Sequence, residues 1–342
     1  MGRFDTAFAS PANEAPGKVS GFARRRSLKA RALYSKRFGH SEWVTAVRHL
    51  PATGGIVSGG MDSKLCLWDK ARTTCEDLQG HSGSISHIEL ADSVGSRFVS
   101  ASYDKTLVLW EAHSGCKLLR LAGHQAPVLQ LCTASSAGGG PAAAASGDRS
   151  GGLIVWDLGT GKARCRVASA HQGHITALAR ESAEPSESSN PFPGHSSTVL
   201  LSGGQDGYLR VWDLRAVGPS AEAAAHVGQA GLGAVSALLA PTHGDSLVVT
   251  AGADGHVTGL DRRQGLQQAW AVQLPDFPYS LAAQGSLVLA GCGDGSLVVI
   301  DRCSGTVLCT TQASSAAVRT VDSAGGKLIT GGDDGVAVVY QT

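Results

Sequence analysis

Several features that define other classes of protein are missing from this 342-residue sequence. No apolar run approaches the roughly 18 residues that a membrane-spanning helix needs, so we predict no transmembrane segment. No Gly-Lys-Ser or Gly-Lys-Thr loop is present to hold a phosphate, and we expect no cofactor. The N-terminal region lacks the apolar core of a secretory signal, which argues against secretion.

The eight cysteines include no Cys-x-x-Cys pair, and the chain has no Asn-x-Ser or Asn-x-Thr sequon. This pattern favours buried thiols in a reducing compartment over disulfides or a zinc site. We therefore predict no metal site. The expected location is the cytoplasm, with the nucleus and cytoskeletal or ciliary assemblies as alternatives.

The formal net charge is +1, but it is unevenly distributed. Residues 1–40 contain nine Lys or Arg and two acidic residues, so the remainder is net negative. We predict that residues 1–30 form a flexible basic arm that aids solubility; contact with acidic partners, RNA or a membrane surface is the alternative. Gly2 and Thr6 fit the minimal myristoylation pattern, which alone does not anchor a protein stably.

Glycine is abundant, with 45 residues, as expected of a chain with many tight turns. Seven segments share one six-residue offset, which ends at residues 68, 110, 156, 212, 260, 300 and 340. Six of them begin with aspartate, and the third begins with Ser150. The chain therefore repeats one supersecondary unit seven times.

The first repeat predicts a four-stranded unit. Val44 to Leu50, Ile56 to Ser58, Lys64 to Asp69 and Thr73 to Gln79 are strand segments separated by turns, and polar and apolar residues alternate in the third. One such sheet cannot bury both of its faces, so neighbouring units must stack on it, and closure into a ring removes most exposed edges. We predict an all-β, seven-bladed β-propeller over residues 31–342.

Gly80-His81 to Trp110-Glu111 and Gly123-His124 to Trp156-Asp157 resemble repeats of the WD-repeat β-propeller family. The resemblance covers about residues 31–342. It implies that an N-terminal strand within Arg31 to Phe38 completes the last blade, because the chain ends just after the third strand of that blade.

The resemblance also implies a hydrogen-bonded network inside the blades. Its members are His40, Ser58, Asp62 and Trp68; His81, Ser100, Asp104 and Trp110; His124, Ser146 and Trp156; and His171, Ser202, Asp206 and Trp212. Asp148 lies two residues before the position at which Ser150 replaces the usual acid. A hydrolase triad is the alternative for each Ser, His and Asp set, but the set recurs without a nucleophile turn, so we predict no catalytic residue.

Blades 5 to 7 lack the histidine and tryptophan of this pattern and carry Leu260, Ile300 and Tyr340, so we expect weaker hydrogen bonding there. His174 is predicted to be a surface residue. The insertions at Ser135 to Ala145 and Glu181 to Ser197 are predicted to be loops on the face opposite the turn aspartates.

The face that carries the turn aspartates is the predicted docking surface for protein partners in a larger assembly. Aromatic and arginine side chains contribute much of the energy of such interfaces. We expect Trp43 and Arg319 to occupy equivalent positions in blades 1 and 7; packing between blades is the alternative for Trp43 and Tyr103. The candidate residues are Trp43, Met61, Tyr103, Arg149, Gln205, Arg319 and Asp333.

Asp206 to Arg215 resembles the Asp-Trp-Asp box of WD-repeat substrate receptors for cullin-RING ubiquitin ligases, in which the final arginine contacts the adaptor protein. The preferred function is a non-enzymatic protein-interaction scaffold. The alternatives are a substrate receptor that uses Arg215, and an RNA-associated or ribosome-assembly propeller that uses the basic arm.

Overall fold

The computed structural model describes residues 29–33, 39–70, 75–134, 143–181, 199–213, 219–224, 233–241, 245–324 and 327–341. Within these ranges the chain forms 28 β-strands and one short 3-10 helix, Arg262–Gln264. The strands make seven four-stranded antiparallel sheets, and the innermost strands of successive sheets contact one another around a closed ring. The predicted all-β, seven-bladed propeller is confirmed.

Each sheet is a blade, and its four strands are ordered from the ring axis outward. Blade 1 contains β2 (Val44–Leu50), β3 (Gly55–Gly60), β4 (Leu65–Trp68) and β5 (Cys75–Leu78). Blade 2 contains β6 (Ile85–Leu90), β7 (Arg97–Ser102), β8 (Thr106–Glu111) and β9 (Lys117–Ala122). Blade 3 contains β10 (Val128–Ala134), β11 (Ala143–Asp148), β12 (Leu153–Asp157) and β13 (Ala163–Val167). Blade 4 contains β14 (Ile175–Arg180), β15 (Val199–Gly204), β16 (Tyr208–Asp213) and β17 (Pro219–Ala224).

The remaining three blades follow the same order. Blade 5 contains β18 (Val235–Leu239), β19 (Leu247–Gly252), β20 (His256–Asp261) and β21 (Gln267–Gln273). Blade 6 contains β22 (Pro278–Gln284), β23 (Leu287–Cys292), β24 (Ser296–Asp301) and β25 (Val307–Gln312). Blade 7 contains β26 (Val318–Ala324), β27 (Lys327–Gly332), β28 (Ala337–Gln341) and, as its outer strand, β1 (Lys29–Leu33).

The hydrophobic core lies between the blades. Buried apolar side chains of the described residues form seven clusters, and each cluster is built by two adjacent blades. The second strands are the most buried, whereas outer strands such as β25 are largely exposed. A blade therefore depends on its neighbours to bury its apolar surface, as in other repeat proteins.

Hydroxyl groups link successive innermost strands near the axis. Thr45 Oγ1 donates to the Ile85 carbonyl at 2.6 Å, and Ser86 Oγ donates to the Val128 carbonyl at 2.7 Å. Thr176 and Ser236 make the same contact with Val235 and Pro278. The equivalent residues of blades 6 and 7 are Tyr279 and Arg319, which changes the surface at the channel mouth.

The ring is closed by pairing of an early strand with the last one. β1 pairs with β28 in antiparallel register, from Lys29 opposite Gln341 to Leu33 opposite Ala337. The predicted N-terminal closing strand is thus confirmed, although it begins two residues before Arg31. Residues 34–38 of the predicted segment lie outside the described residues, as do most of both predicted insertion loops.

Candidate protein-binding surface

Four polar residues meet inside each of blades 1 to 4. In blade 1, His40 Nδ1 lies 3.0 Å from Asp62 Oδ1, and His40 Nε2 lies 2.9 Å from Ser58 Oγ. Trp68 Nε1 donates to the same hydroxyl at 2.9 Å. Equivalent contacts of 2.6 to 2.9 Å join His81, Ser100, Asp104 and Trp110; His124, Ser146, Asp148 and Trp156; and His171, Ser202, Asp206 and Trp212.

The chemistry of the groups sets the direction of these hydrogen bonds. An indole N–H can only donate, so the serine oxygen accepts it and donates its own proton to histidine Nε2. Nδ1 then donates to the aspartate. Burial alone would raise the pKa of Asp148, but hydrogen bonds from His124 and Ser150 outweigh it and lower the pKa to about 2. Burial would also raise the pKa values of Asp62 and Asp104, but hydrogen bonds from His40 and His81 outweigh it. Both pKa values are therefore lowered.

The four serines of this network have no exposed surface. Ser58, Ser100, Ser146 and Ser202 are each 0% exposed. A hydrolytic serine must be reached by its substrate. In this fold each serine makes one hydrogen bond to the tryptophan of the third strand and another to the histidine that precedes the first strand. This role is structural.

In blade 3 the acid comes from a different backbone position. Asp148 pairs with Val128, as Gly60 pairs with Val44 in blade 1, so Asp148 occupies a glycine position of the repeat. A Cβ atom placed on Gly60 would lie 2.4 Å from His40 Nδ1, which shows that a side chain at this position points at the histidine. The Asp148 side chain starts from the equivalent backbone position, and its Oδ2 lies 2.7 Å from His124 Nδ1.

The seam between blades 5 and 6 contains another polar network, centred on Arg302. Its side chain is only 2% exposed, and its Nε donates to Asp245 Oδ2 at 2.6 Å. Its Nη2 donates to the carbonyls of Ala240 and Leu247 at 2.7 and 2.9 Å. Trp270 Nε1 donates to the Arg302 carbonyl at 3.0 Å. The repeat pattern gave no signal for this network, because Arg302 follows the repeated six-residue offset and does not belong to it.

The mouth of the axial channel carries the most extensive aromatic cluster among the predicted contact residues. The Arg319 guanidinium lies 4.7 Å from the centroid of the Trp43 ring and 4.1 Å from that of Tyr279. Its Nε and Nη2 donate to Asp333 at 2.6 and 3.0 Å. Phe277 packs on Tyr279, with ring centroids 4.6 Å apart. We call Trp43, Phe277, Tyr279, Arg319 and Asp333 the mouth surface.

The prediction that Trp43 and Arg319 occupy equivalent positions is wrong. Val44 pairs with Gly60 and Val318 with Gly332, so Trp43 corresponds to Ala317, and Arg319 corresponds to Thr45. Arg319 therefore lies inside its strand and reaches over the channel. The two residues meet because the innermost strands of blades 7 and 1 are adjacent.

The other predicted contact residues lie at separate places on the same face. Met61 is half-buried, and its N–H donates to the Trp43 carbonyl at 2.9 Å. Tyr103 is 42% exposed on blade 2. Exposed Arg149 donates through Nε to His174 Nε2 at 3.3 Å, and the N–H of exposed Gln205 donates to the His174 carbonyl at 2.9 Å.

His174 is half-buried between these two residues rather than fully exposed. Burial, together with the Arg149 charge, lowers its pKa. Arg215 lies outside the described residues.

Tyr279 and Phe277 were missed as candidate residues. Their signal was the segment Phe277-Pro278-Tyr279, which brackets the start of an innermost strand. Neither residue lies beside a turn aspartate: Phe277 comes from the loop before the strand, and Tyr279 from the strand itself.

Below the mouth surface, a polar channel of about 330 Å³ runs along the propeller axis. Arg48 Nη2 donates to Glu89 Oε2 at 2.8 Å, and His87 Nε2 lies 3.5 Å from the same oxygen. Burial would raise the pKa of Glu89, but the Arg48 charge and the His87 hydrogen bond lower it to about 2. The channel therefore carries paired charges beneath the mouth.

One cluster of the described residues has the donor atoms of a metal site. The ligand atoms of Cys66, Cys75 and Asp77 in blade 1 all lie within 4.8 Å of one another. No helix among the described residues is long and apolar enough to cross a membrane.

The seven closed blades and their buried polar networks define the class of protein as a seven-bladed β-propeller. Residues 33–69, 72–111 and 164–213 match the family model of the WD domain, G-beta repeat. These stretches of the chain are therefore WD40 repeats, and the described residues fold as a seven-bladed β-propeller.

Several curated proteins are similar to this chain. The yeast Saccharomyces cerevisiae pre-mRNA-processing factor 17 is 33% identical over 92 residues, which is 26% of this chain and 20% of the relative. Nuclear distribution protein PAC1 of Arthroderma otae is 29% identical over 197 residues, 52% of this chain and 42% of the relative. The ribosome biogenesis protein WDR12 homolog of Drosophila persimilis is 30% identical over 197 residues, 54% of this chain and 44% of the relative. The chain thus spans less than half the length of these relatives.

Proposed function

We propose that this chain is a non-enzymatic protein-interaction scaffold that docks a partner protein on its mouth surface. The observation that carries the proposal is the exposed Trp43 ring, 43% accessible, stacked on an arginine that is itself held in place. Tryptophan and arginine are enriched among the residues that dominate binding energy at protein interfaces.

The mouth surface is held in one arrangement by contacts that cross three blades. Asp333 and Tyr279 fix the Arg319 guanidinium from blades 7 and 6, and Arg319 in turn supports Trp43 of blade 1. Binding to an ordered surface costs less conformational entropy than binding to mobile side chains. The stack is therefore suited to contact a partner with little rearrangement.

The comparison with relatives supports a general role in binding other proteins rather than a role in one particular pathway. Their names refer to pre-mRNA processing, nuclear distribution and ribosome biogenesis, which are different processes. The same fold thus serves different assemblies, and the partner is selected by surface residues. We propose that this chain acts within a multiprotein complex, in the cytoplasm or in the nucleus.

The proposal is tested by affinity purification of tagged full-length protein, read by quantitative mass spectrometry. The baits are wild type, Trp43→Ala and the control Val94→Ala. Val94 is 63% exposed in the loop between β6 and β7, on the opposite face. We expect Trp43→Ala to reduce recovery of the main partner set at least tenfold, as loss of about 2 kcal/mol at a central contact would do.

The control bait should recover the same partners as wild type. Equal recovery by Trp43→Ala and wild type, with both baits folded by circular dichroism, would contradict docking on the mouth surface.

The narrower functions are separated by two further arms of this experiment. If the chain is a cullin-RING substrate receptor, the adaptor protein is recovered by wild type and lost with Arg215→Ala. If the basic arm binds RNA, recovery of RNA falls steeply with salt and requires residues 1–30, because phosphate contacts release counterions. Neither outcome is needed for docking on the mouth surface.

A further inference from the structure

Two cysteines and an aspartate converge on the outer half of blade 1. Cys66 is on β4, and Cys75 and Asp77 are on β5. Cys66 lies directly opposite Asp77, and Cys75 lies opposite Trp68, so the three side chains project from the same face of the sheet. Eight residues lie between the two cysteines in sequence, so they do not form a Cys-x-x-Cys pair.

One carboxylate oxygen faces both thiols. Cys66 Sγ lies 3.4 Å from Asp77 Oδ1, and Cys75 Sγ lies 4.0 Å from the same oxygen. The other oxygen, Oδ2, faces Lys64 Nζ at 3.5 Å. The carboxylate therefore presents one oxygen to the sulfurs while the charge of Lys64 holds its other oxygen.

These separations are close to those of a tetrahedral zinc site. With metal–sulfur bonds of about 2.3 Å and metal–oxygen bonds of about 2.0 Å, a tetrahedral ion needs sulfur and oxygen atoms about 3.5 Å apart. The two sulfur-to-oxygen distances, 3.4 and 4.0 Å, bracket that value. An ion could thus be held with small side-chain adjustments and no change of strand register.

The donor set selects the kind of ion. Two thiolates and one carboxylate suit Zn²⁺ or a softer divalent ion such as Cd²⁺, and they do not suit the oxygen-seeking Mg²⁺ or Ca²⁺. Each thiol loses its proton when it coordinates the metal. Burial, together with the Asp77 charge, raises the pKa of both thiols, so the metal ion itself has to drive this loss of protons.

We propose that Cys66, Cys75 and Asp77 form a binding site for a thiophilic divalent metal ion, with the fourth position open to water or to another ligand. The site lies at the seam where the ring closes, because Cys66 packs in the core cluster that contains Leu33 of β1 and Val339 of β28. A bound ion would hold β5 against β4 beside that seam.

The proposal does not depend on the docking function. It is tested with Cd²⁺ and Co²⁺ as probes on full-length protein kept reduced with a phosphine. The variants are Cys75→Ser and Asp77→Asn, at half-buried and exposed positions that leave the core intact. The control is Cys165→Ser, an exposed thiol on the outer strand of blade 3. It leaves the same number of thiols as Cys75→Ser.

Wild type and Cys165→Ser should bind one ion per chain, with a sulfur-to-metal charge-transfer band for Cd²⁺ and the visible spectrum of tetrahedral Co²⁺. Cys75→Ser and Asp77→Asn should bind more than about tenfold more weakly, since even changes around a metal site's ligands cost that much. Each folded protein should also gain thermal stability only to the extent that it binds the ion.

Two results would overturn the proposal. One is absence of stoichiometric binding by reduced, folded wild type whose eight thiols are all titratable after unfolding. The other is binding that Cys75→Ser weakens no more than Cys165→Ser does, which would assign the ion to scattered surface thiols.

Discussion

Asp148 and Asp62 serve equivalent histidines from backbone positions that are two residues apart. A side chain placed at position 60 of blade 1 would point directly at His40, and glycine at this position leaves room for an acid that comes from the turn. Blade 3 fills this space with the carboxylate itself. The buried imidazole thus requires a hydrogen-bond acceptor at about 3 Å, and a residue at either of two backbone positions can supply it.

We expect Asp148→Gly to lower the free energy of unfolding by about 1–3 kcal/mol, because His124 is left without its acceptor. Adding Ser150→Asp should restore most of the loss, since position 150 corresponds to Asp62. The measurement is equilibrium unfolding in urea, monitored by tryptophan fluorescence.

Ser150→Asp alone is the control for the added charge near Asp148, and it should not stabilise the protein. If the double variant is no more stable than Asp148→Gly, the two backbone positions are not interchangeable.

The buried network could be predicted at this scale, whereas the mouth surface could be predicted only in part. In blades 1 to 4 the Ser and Trp recur ten residues apart and a His precedes the first strand, because each of these blades buries the same groups. Arg319 and Tyr279 occupy a position that holds a hydroxyl residue in four of the other five blades and Leu129 in blade 3, so no repeat signal marks them. Their contact depends on which blades are neighbours, and the ring has to close before blades 6, 7 and 1 are adjacent.

At the scale of elements, β1 is the strand whose position was least determined by local sequence. The outer strand β9 ends directly before Gly123, where the next blade begins. The bounds of the closing strand were predicted from the same spacing, counted back from Gly39. β1 instead pairs with β28, far along the chain, so its register is set by that strand and not by its distance from Gly39. The existence of the strand was therefore predictable, and its first residue was not.

Leu33 anchors this strand, since it is 2% exposed and packs in the cluster with Ile56 and Val339. We expect Leu33→Ala to cost about 2–5 kcal/mol of unfolding free energy, the usual range for removing a buried leucine. Hydrogen exchange should speed up first in β28 and β27, because opening of the closing strand exposes them.

Ala32→Ser, at the exposed neighbouring position of β1, is the matched control and should leave exchange unchanged. Uniformly faster exchange in all seven blades of Leu33→Ala would contradict local opening at the closing strand.

For the molecule as a whole, the lowered aspartate pKa values make stability depend on pH. The pKa values of Asp62, Asp104, Asp148 and Asp206 all lie below the ordinary value of 3.8 in the folded state. Their stabilisation is therefore complete above about pH 4 and is lost as the pH falls through the folded values. Acid should weaken blades 1 to 4 through these groups.

We expect the gap in unfolding free energy between wild type and Asp148→Asn to narrow as the pH falls from 4 to 2, the pKa of Asp148 being about 2. The variant has no titrating group at this position, so it lacks that part of the pH dependence. Urea unfolding at a series of pH values measures the gap. Asp92→Asn, in the loop between β6 and β7, controls for net charge, and a gap independent of pH would contradict the expectation.

The pairing of β1 with β28 also affects how the protein is made. Lys29 to Leu33 leave the ribosome long before Ala337 to Gln341, and translation of the intervening chain takes about half a minute at common elongation rates. During that time six blades can form, while β1 lacks the three later strands of the seventh blade. The nascent protein therefore exposes an unpaired strand until synthesis is nearly finished, and this is the interval in which a chaperone would be most needed.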